Sequence, residues 1–210
     1  MKQPPQGGIA QAAGFVARHV VRHGRRSFVF TSARAGEGTT TTVLGLAAEL
    51  HSRHGMRVLA LEFTPATHGF QARLGREWVP YAYDEQAPLP EEFPTAPAGF
   101  ALMTISRQAA EGGTPANGAV GLLRHALGRV AARFDAVLID APPVLDRAEA
   151  LAAAAESNGV VLVVEARRTR LEMLSQVRRI FEQEDIPMLG SVLTKQEYPI
   201  PGWVYRLLFK

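Results

Sequence analysis

Ser27-Phe-Val-Phe-Thr-Ser-Ala-Arg-Ala-Gly-Glu-Gly-Thr-Thr-Thr-Thr42 is the stretch on which the fold turns. Ser27–Ser32 is rich in aromatic and β-branched residues and reads as a short strand. Ala33–Gly38 is a turn of small residues and glycine. A helical pattern follows from Thr40 to about His54, with Val43, Leu44, Leu46, Ala47 and Leu50 on its apolar face. Gly55 stops it, and Arg57–Phe63 is the next strand. Strand, glycine loop, helix, strand is a βαβ unit, and its two strands are expected to run parallel.

Working outward, Ile9–His23 reads as a helix with Ile9, Ala13, Val16 and Val20 on one face. Beyond the first unit, Thr64–Asn117 holds Pro65, Pro80, Pro88, Pro90, Pro94, Pro97 and Pro115. There the pattern predicts a short helix at Gly69–Gly75, a weak strand at Phe100–Ser106, and loops elsewhere. Regularity returns with a helix at Ala119–Phe134 and an apolar strand at Asp135–Asp140. A helix at Ala148–Glu156 precedes the strand Gly159–Glu165. That strand is apolar on both faces, as at the buried centre of a parallel sheet. Thr169–Gln183 reads as a helix with Thr169 as its N-cap, and Met188–Thr194 as the last strand. The alternation specifies an α/β fold, a doubly wound and mostly parallel sheet flanked by helices. Three parts are expected: an N-terminal helical arm (1–26), the α/β domain (27–196, with an irregular proline-rich insertion at 64–117), and an aromatic, basic tail (197–210).

Bulk properties narrow the function classes. The 210 residues, 47% hydrophobic and 20% charged, suit one globular domain. The absence of cysteine excludes thiol catalysis and Cys-based metal sites. No apolar run reaches the roughly 20 residues of a membrane span, and Met1–Gly8 does not read as a secretory signal. A cytoplasmic location is therefore expected. The formal charge is +3, with basic clusters at Arg18–Arg26 and Arg167–Arg170. Such clusters suit an anionic partner or are solvated helix faces.

In an open parallel sheet, ligands bind at the carboxyl ends of the strands. Three segments place unusual residues there. The loop Arg34-Ala35-Gly36-Glu37-Gly38-Thr39-Thr40-Thr41 can converge backbone N–H groups on phosphate oxygens at a helix N-terminus. Glu62 ends its strand. Asp140 closes Ala-Val-Leu-Ile-Asp before Ala141-Pro142-Pro143, where a carboxylate beside the loop can organise Mg²⁺. Thr40 and Asp140 are the candidate metal residues.

The segment Phe134-Asp-Ala-Val-Leu-Ile-Asp-Ala-Pro-Pro-Val-Leu145 resembles the Walker B region of bacterial tyrosine kinases, the partners of polysaccharide co-polymerases. Glu149-Ala-Leu, Asn158-Gly-Val-Val-Leu-Val-Val164 and Leu189-Gly-Ser-Val-Leu193 continue the likeness, and Gly36-Glu-Gly38 is similar to that family's phosphate loop. The resemblance runs from about Ser27 to Gln196, the proline-rich middle excluded, and implies a P-loop fold of the MinD/ParA-like superfamily. It implies ATP or ADP with Mg²⁺ as cofactors, with Asp140 and Glu62 as the catalytic carboxylates. It also implies an inner-membrane co-polymerase as partner, a homodimer or oligomer, and a peripheral position at the inner membrane. Nucleic acid is not an expected partner.

The departures bear on activity. The pattern G-x-x-x-x-G-K-[ST] requires glycine at Ala33 and lysine at Thr39. The family's paired aspartates after the second strand read Glu62 and Thr64, and its asparagine near the adenine reads Thr194. Its tyrosine-rich tail is reduced to Tyr198 and Tyr205. Arg34 occupies the place where related ATPases carry a lysine that reaches a partner's nucleotide; it is either a phosphate contact or an exposed loop residue. The expectation is a catalytically impaired, tyrosine-kinase-like ATP-binding protein that supports exopolysaccharide assembly. Two alternatives stand beside it: an active autokinase or ATPase using Arg34 and Glu62 as substitutes, and a nucleotide-free scaffold.

Overall fold

A computed structural model describes residues 6–24, 26–63, 69–105 and 116–196. Thr64, Tyr198, Tyr205 and the C-terminal tail lie outside the described residues. In chain order the elements are α1 (Gln6–His23), β1 (Ser27–Ser32), α2 (Thr39–His54), β2 (Val58–Phe63), α3 (Gly69–Leu74), β3 (Tyr81–Ala82) and β4 (Ala101–Ile105). They continue with α4 (Ala116–Val130), β5 (Ala136–Asp140), α5 (Ala148–Ala155), β6 (Val160–Glu165), α6 (Leu171–Gln183) and β7 (Met188–Thr194). The seven strands form one sheet in the order β3-β4-β2-β5-β1-β6-β7. Every pairing between them is parallel.

The period-2 alternation of side chains divides the core in two. Phe28, Phe30, Val58, Ala60, Leu102 and Leu138 face α1, α2 and α3, which contribute Ala13, Val16, Val43, Leu46, Leu50 and Phe70. Val29, Leu59, Leu61, Met103, Val137 and Ile139 face α4, α5 and α6, which contribute Leu123, Ala126, Ala150, Val177 and Phe181. Burial on both faces explains why these strands are continuously apolar rather than alternating. The order change at β1, between β5 and β6, leaves the crevice in which an open α/β sheet binds ligands. Side chains also tie the amino ends of the strands. Asn158 Oδ1 accepts from the Arg26 and Ser27 N–H groups at 2.8 and 3.0 Å, fixing the starts of β1 and β6 together.

Four expectations need correction. The segment at Ala101–Ile105 is no weak strand: it lies between β2 and β3, and four of its five residues are buried. Single-sequence patterning underrates it because the flanking prolines disguise an inner strand. The centre of the sheet is β5; β6 is one strand in from the β7 edge, although its residues are buried up to Val164. Helix α4 ends at Val130 rather than Phe134. Thr169 does not cap α6, whose N-cap is Arg170, without a side-chain hydrogen bond.

The proline-rich middle is only partly irregular. Tyr83, Phe93, Ala96 and Phe100 are buried, and the last turn of α4 and the segment just after it supply the donors that hold the chain there. Arg129 Nη1 donates to Ala87 O at 2.9 Å, Arg133 Nη1 to Pro90 O at 2.6 Å, and Arg133 Nη2 to Glu91 O. The Arg133 guanidinium also stands 4.9 Å from the centre of the Phe93 ring, which meets Phe134 edge-on. Proline-rich chain lacks N–H donors but keeps its carbonyls, so arginine is the residue suited to anchoring it. Arg133→Ala should cost about 1–3 kcal/mol, from lost charge-assisted bonds and ring contact. Urea denaturation would measure this, and limited proteolysis should show earlier cleavage between residues 84 and 92.

Candidate functional site

The connection from β1 to α2 runs through residues 33–38 and turns twice in the left-handed region. Gly36 has φ 85° and Gly38 φ 101°, conformations that glycine adopts without steric cost. What distinguishes this loop is where its carbonyls go. Ser32 Oγ donates to Arg34 O at 2.9 Å. Lys195 Nζ donates to Gly36 O at 2.8 Å, and Thr194 Oγ1 to Glu37 O at 2.6 Å. Gly38 O accepts both the N–H and the hydroxyl of Thr42, each at 2.9 Å. In a trans peptide the N–H points opposite to the C=O. The carbonyls of Gly36, Glu37 and Gly38 are taken by β7 and by the first turn of α2. The N–H groups of Glu37, Gly38 and Thr39 are thereby turned the other way, at a helix N-terminus that favours anions.

The Glu37 side chain is 2% exposed and lies beneath the loop. Its Oε2 accepts the Ala33 N–H at 3.0 Å, and its Oε1 accepts the Thr169 hydroxyl at 2.6 Å. Thr169 in turn accepts the Glu165 N–H at 3.1 Å. The Thr169 hydroxyl, expected to cap a helix, instead links the end of β6 to the loop.

At the other side of the loop, parallel register places Glu62 directly beside Asp140. Both are buried. Asp140 accepts a hydrogen bond from the Thr40 side chain. Glu62 Oε1 accepts the Phe70 N–H at 3.0 Å, and a Cβ on Gly69 would come within 2.7 Å of that oxygen. Burial pushes the Asp140 carboxyl up to about 7; the Thr40 hydrogen bond opposes this, the Glu62 charge adds to it, and Arg73 opposes it. Beyond the β5 carboxyl end, Ala141-Pro142-Pro143 continues alongside β1. Ala141 N–H donates to Phe30 O at 2.9 Å, and Thr31 Oγ1 donates to Pro142 O at 2.6 Å. The Pro-Pro element is thus held against the start of the loop, with Asp140 aimed at Thr40.

The structure brings Gly36, Glu37, Gly38, Thr39, Thr40, Asp140, Glu62 and Thr194 into one neighbourhood. It leaves the Arg34 side chain exposed. Glu37 and Thr194 direct their side chains into the loop's own framework. Sequence reasoning missed Ser32, Arg73, Glu165 and Lys195. Lys195 carried a signal, as the residue after Thr194 in a chain whose cations are nearly all arginine. Among the described residues there is no group of three or more His, Asp or Glu that could hold a metal; the acidic centre is a pair of carboxylates with a hydroxyl.

No family model matches the sequence, and no curated protein sequence matches it. Solved structures do. The kinase domain of VpsO is 21% identical, with 90% of this chain and 95% of that one covered and a TM-score of 0.69. The chain has the fold of a bacterial tyrosine-kinase domain. The kinase domain of the Escherichia coli tyrosine kinase ETK is 17% identical over 91% of this chain and 79% of that one, with a TM-score of 0.68. Cobyrinic acid a,c-diamide synthase from Mycobacterium smegmatis, solved with bound ADP and magnesium, is 21% identical over 80% of this chain and 71% of that one, with a TM-score of 0.55. These likenesses are of fold, at 17–21% identity, and cover 80–91% of this chain.

The raised Asp140 carboxyl carries a stability consequence of definite sign. Its folded value of about 7 lies above the ordinary carboxyl value of 3.8, so the native state holds the proton more tightly than the unfolded chain. This group's contribution is most favourable at low pH and is lost as pH rises from about 4 to about 7. In chelator, Asp140→Asn should raise stability at pH 8 by on the order of a few kcal/mol, an advantage that shrinks towards pH 5. Thermal melts of both proteins across that range would measure it.

Proposed function

We propose that this chain is a nucleotide-binding protein of the bacterial tyrosine-kinase type, impaired in phosphoryl transfer, that acts in exopolysaccharide assembly beside an inner-membrane co-polymerase. The observation that carries the reading is the meeting of Thr40 with Asp140 beside a loop whose Gly36, Glu37 and Gly38 carbonyls are bonded to Lys195, Thr194 and Thr42. Backbone N–H groups of residues 37–39 would take the phosphate oxygens. Thr40 and Asp140, with Glu62 alongside, form an oxygen donor set suited to Mg²⁺. Their fit shows in Asp140 itself, a carboxyl raised by burial first and further by the neighbouring Glu62 charge, the environment that a divalent cation neutralises. When bound, that ion supplies charge neutralisation to the phosphates. The chain's own residues bind and orient.

Impairment follows from Thr39. It stands where a P-loop carries the lysine that reaches the β- and γ-phosphates, and a hydroxyl brings no charge. Cationic groups that stabilise the transferring phosphoryl are worth roughly 10³–10⁵ in rate. The exposed Arg34 is the remaining loop cation, and Glu62 is occupied with the Phe70 N–H, which weighs against efficient turnover. The co-polymerase partner, the oligomer and the peripheral membrane position rest on the resemblance of Phe134–Leu145 to that family's Walker B region. Among the described residues no helix is long and apolar enough to cross a membrane. In this reading 27–196 is the nucleotide-binding unit, 1–26 an N-terminal helical segment and 197–210 a tail.

Calorimetry with Mg-ATP tests the reading. Micromolar binding that Asp140→Asn abolishes is the expected result, with hydrolysis that is negligible in the native protein and increased in Thr39→Lys. No binding by the native protein, with binding gained by Thr39→Lys, would replace the proposal with a scaffold built on a retired site. Rapid turnover by the native protein would replace it with an active enzyme.

A further inference from the structure

The peptide between Gly36 and Glu37 adjoins a residue with little steric restraint on its backbone. Gly36 lacks a Cβ and sits in the left-handed region, with only Arg168 Nη1 within 4 Å of where a Cβ would stand, at 3.6 Å. Rotation of that peptide would exchange C=O for N–H on the face that receives an anion, at little local cost. The neighbouring peptides are held by residues of their own framework: Thr194 on Glu37 O and Thr42 on Gly38 O. Gly36 O is held by Lys195.

Of the chain's three lysines, Lys2, Lys195 and Lys210, Lys195 alone falls among the described residues. It follows β7 directly and has φ 51°, a left-handed turn uncommon outside glycine. From there its Nζ reaches Gly36 O at 2.8 Å and Glu165 Oε2 at 2.9 Å. Glu165 also accepts Arg168 Nη1 at 3.0 Å. The two cations hold the Glu165 carboxyl below its ordinary range, Lys195 first. The ion pair is half-exposed on the lysine side, at 50%, and surface pairs of that kind contribute little by themselves. The contact with consequence is the one to the carbonyl.

We propose that Lys195 is a positioning residue for phosphate binding, which locks the Gly36–Glu37 peptide with its carbonyl outward and its N–H towards the anion. The loop has lost the lysine that would touch phosphate, and a lysine from the end of the last strand orders its backbone instead. The ligand class is a phosphoryl group, and this part rests on the reading given under Proposed function. The brace itself concerns only the chain's own bonds.

The test uses Lys195→Met, which keeps the stem and removes the donors, and Lys195→Arg, which keeps a donor. Two readouts are taken: Mg-ATP affinity by calorimetry, and amide hydrogen exchange over residues 34–40 without nucleotide. Lys195→Met should weaken affinity about tenfold or more, accelerate exchange in that loop, and leave the thermal midpoint nearly unchanged; Lys195→Arg should restore most of both. Unchanged loop exchange in Lys195→Met would overturn the brace. Faster exchange with unchanged Mg-ATP affinity would overturn its role in binding. If the native protein binds no Mg-ATP, the nucleotide reading and the binding role fall together, and exchange alone still decides whether Lys195 holds the loop.

Discussion

A short loop can turn its N–H groups to one side only if its carbonyls find partners on the other, and in the loop after β1 those partners come from distant parts of the chain. Backbone acceptors left unpaired near a phosphate would repel it, and buried without partners they would destabilise the fold. Here the partners come from three directions. Ser32 closes the β1 side, Thr42 the first turn of α2, and Thr194 with Lys195 the end of β7. Beneath them the Glu37 carboxylate joins Ala33 to Thr169. The helices on both faces of the sheet hold β1, β6 and β7 side by side, and that adjacency makes these bonds geometrically available.

Local patterning was enough to find the βαβ unit, because Ser27–Ser32, the glycine turn and the helix beyond it follow one another without interruption. Asp140 was legible for the same reason: an apolar strand ending in a carboxylate before Pro-Pro has few other readings. The middle of the chain was harder. Ala101–Ile105 is an inner strand whose neighbours β2 and β3 are distant in sequence or only two residues long, so its burial is a tertiary property that no window of residues contains. Thr169 shows a different limit. Its position before an amphipathic helix predicts a cap, but its hydroxyl goes to Glu37, 132 positions away. Lys195 is invisible to a motif, which contains only the loop's own residues, because this cation arrives from beyond another strand.

Glu62 and Asp140 illustrate how register becomes electrostatics. Parallel pairing of β2 with β5 sets the two residues level, and both point to the same side of the sheet edge. Burial raises the Asp140 carboxyl, and the charge of Glu62 beside it adds to that, against the Thr40 hydrogen bond and the Arg73 charge. A local inconsistency of this kind, two acids in a dry corner of an otherwise well-packed fold, is characteristic of sites kept for function rather than stability.

The bonds that finish the loop also set the order in which it can mature. Residues 33–38 leave the ribosome early, yet the donors to Gly36 O and Glu37 O are 159 and 157 positions further along the chain. Until the last strand docks against β6, those carbonyls have only water to bond. Contacts at such separation form late in folding, after the costly closure of a long loop of chain. The bonded form of the loop is therefore acquired at the end of assembly, and a nascent or C-terminally truncated chain would hold the motif without the shape.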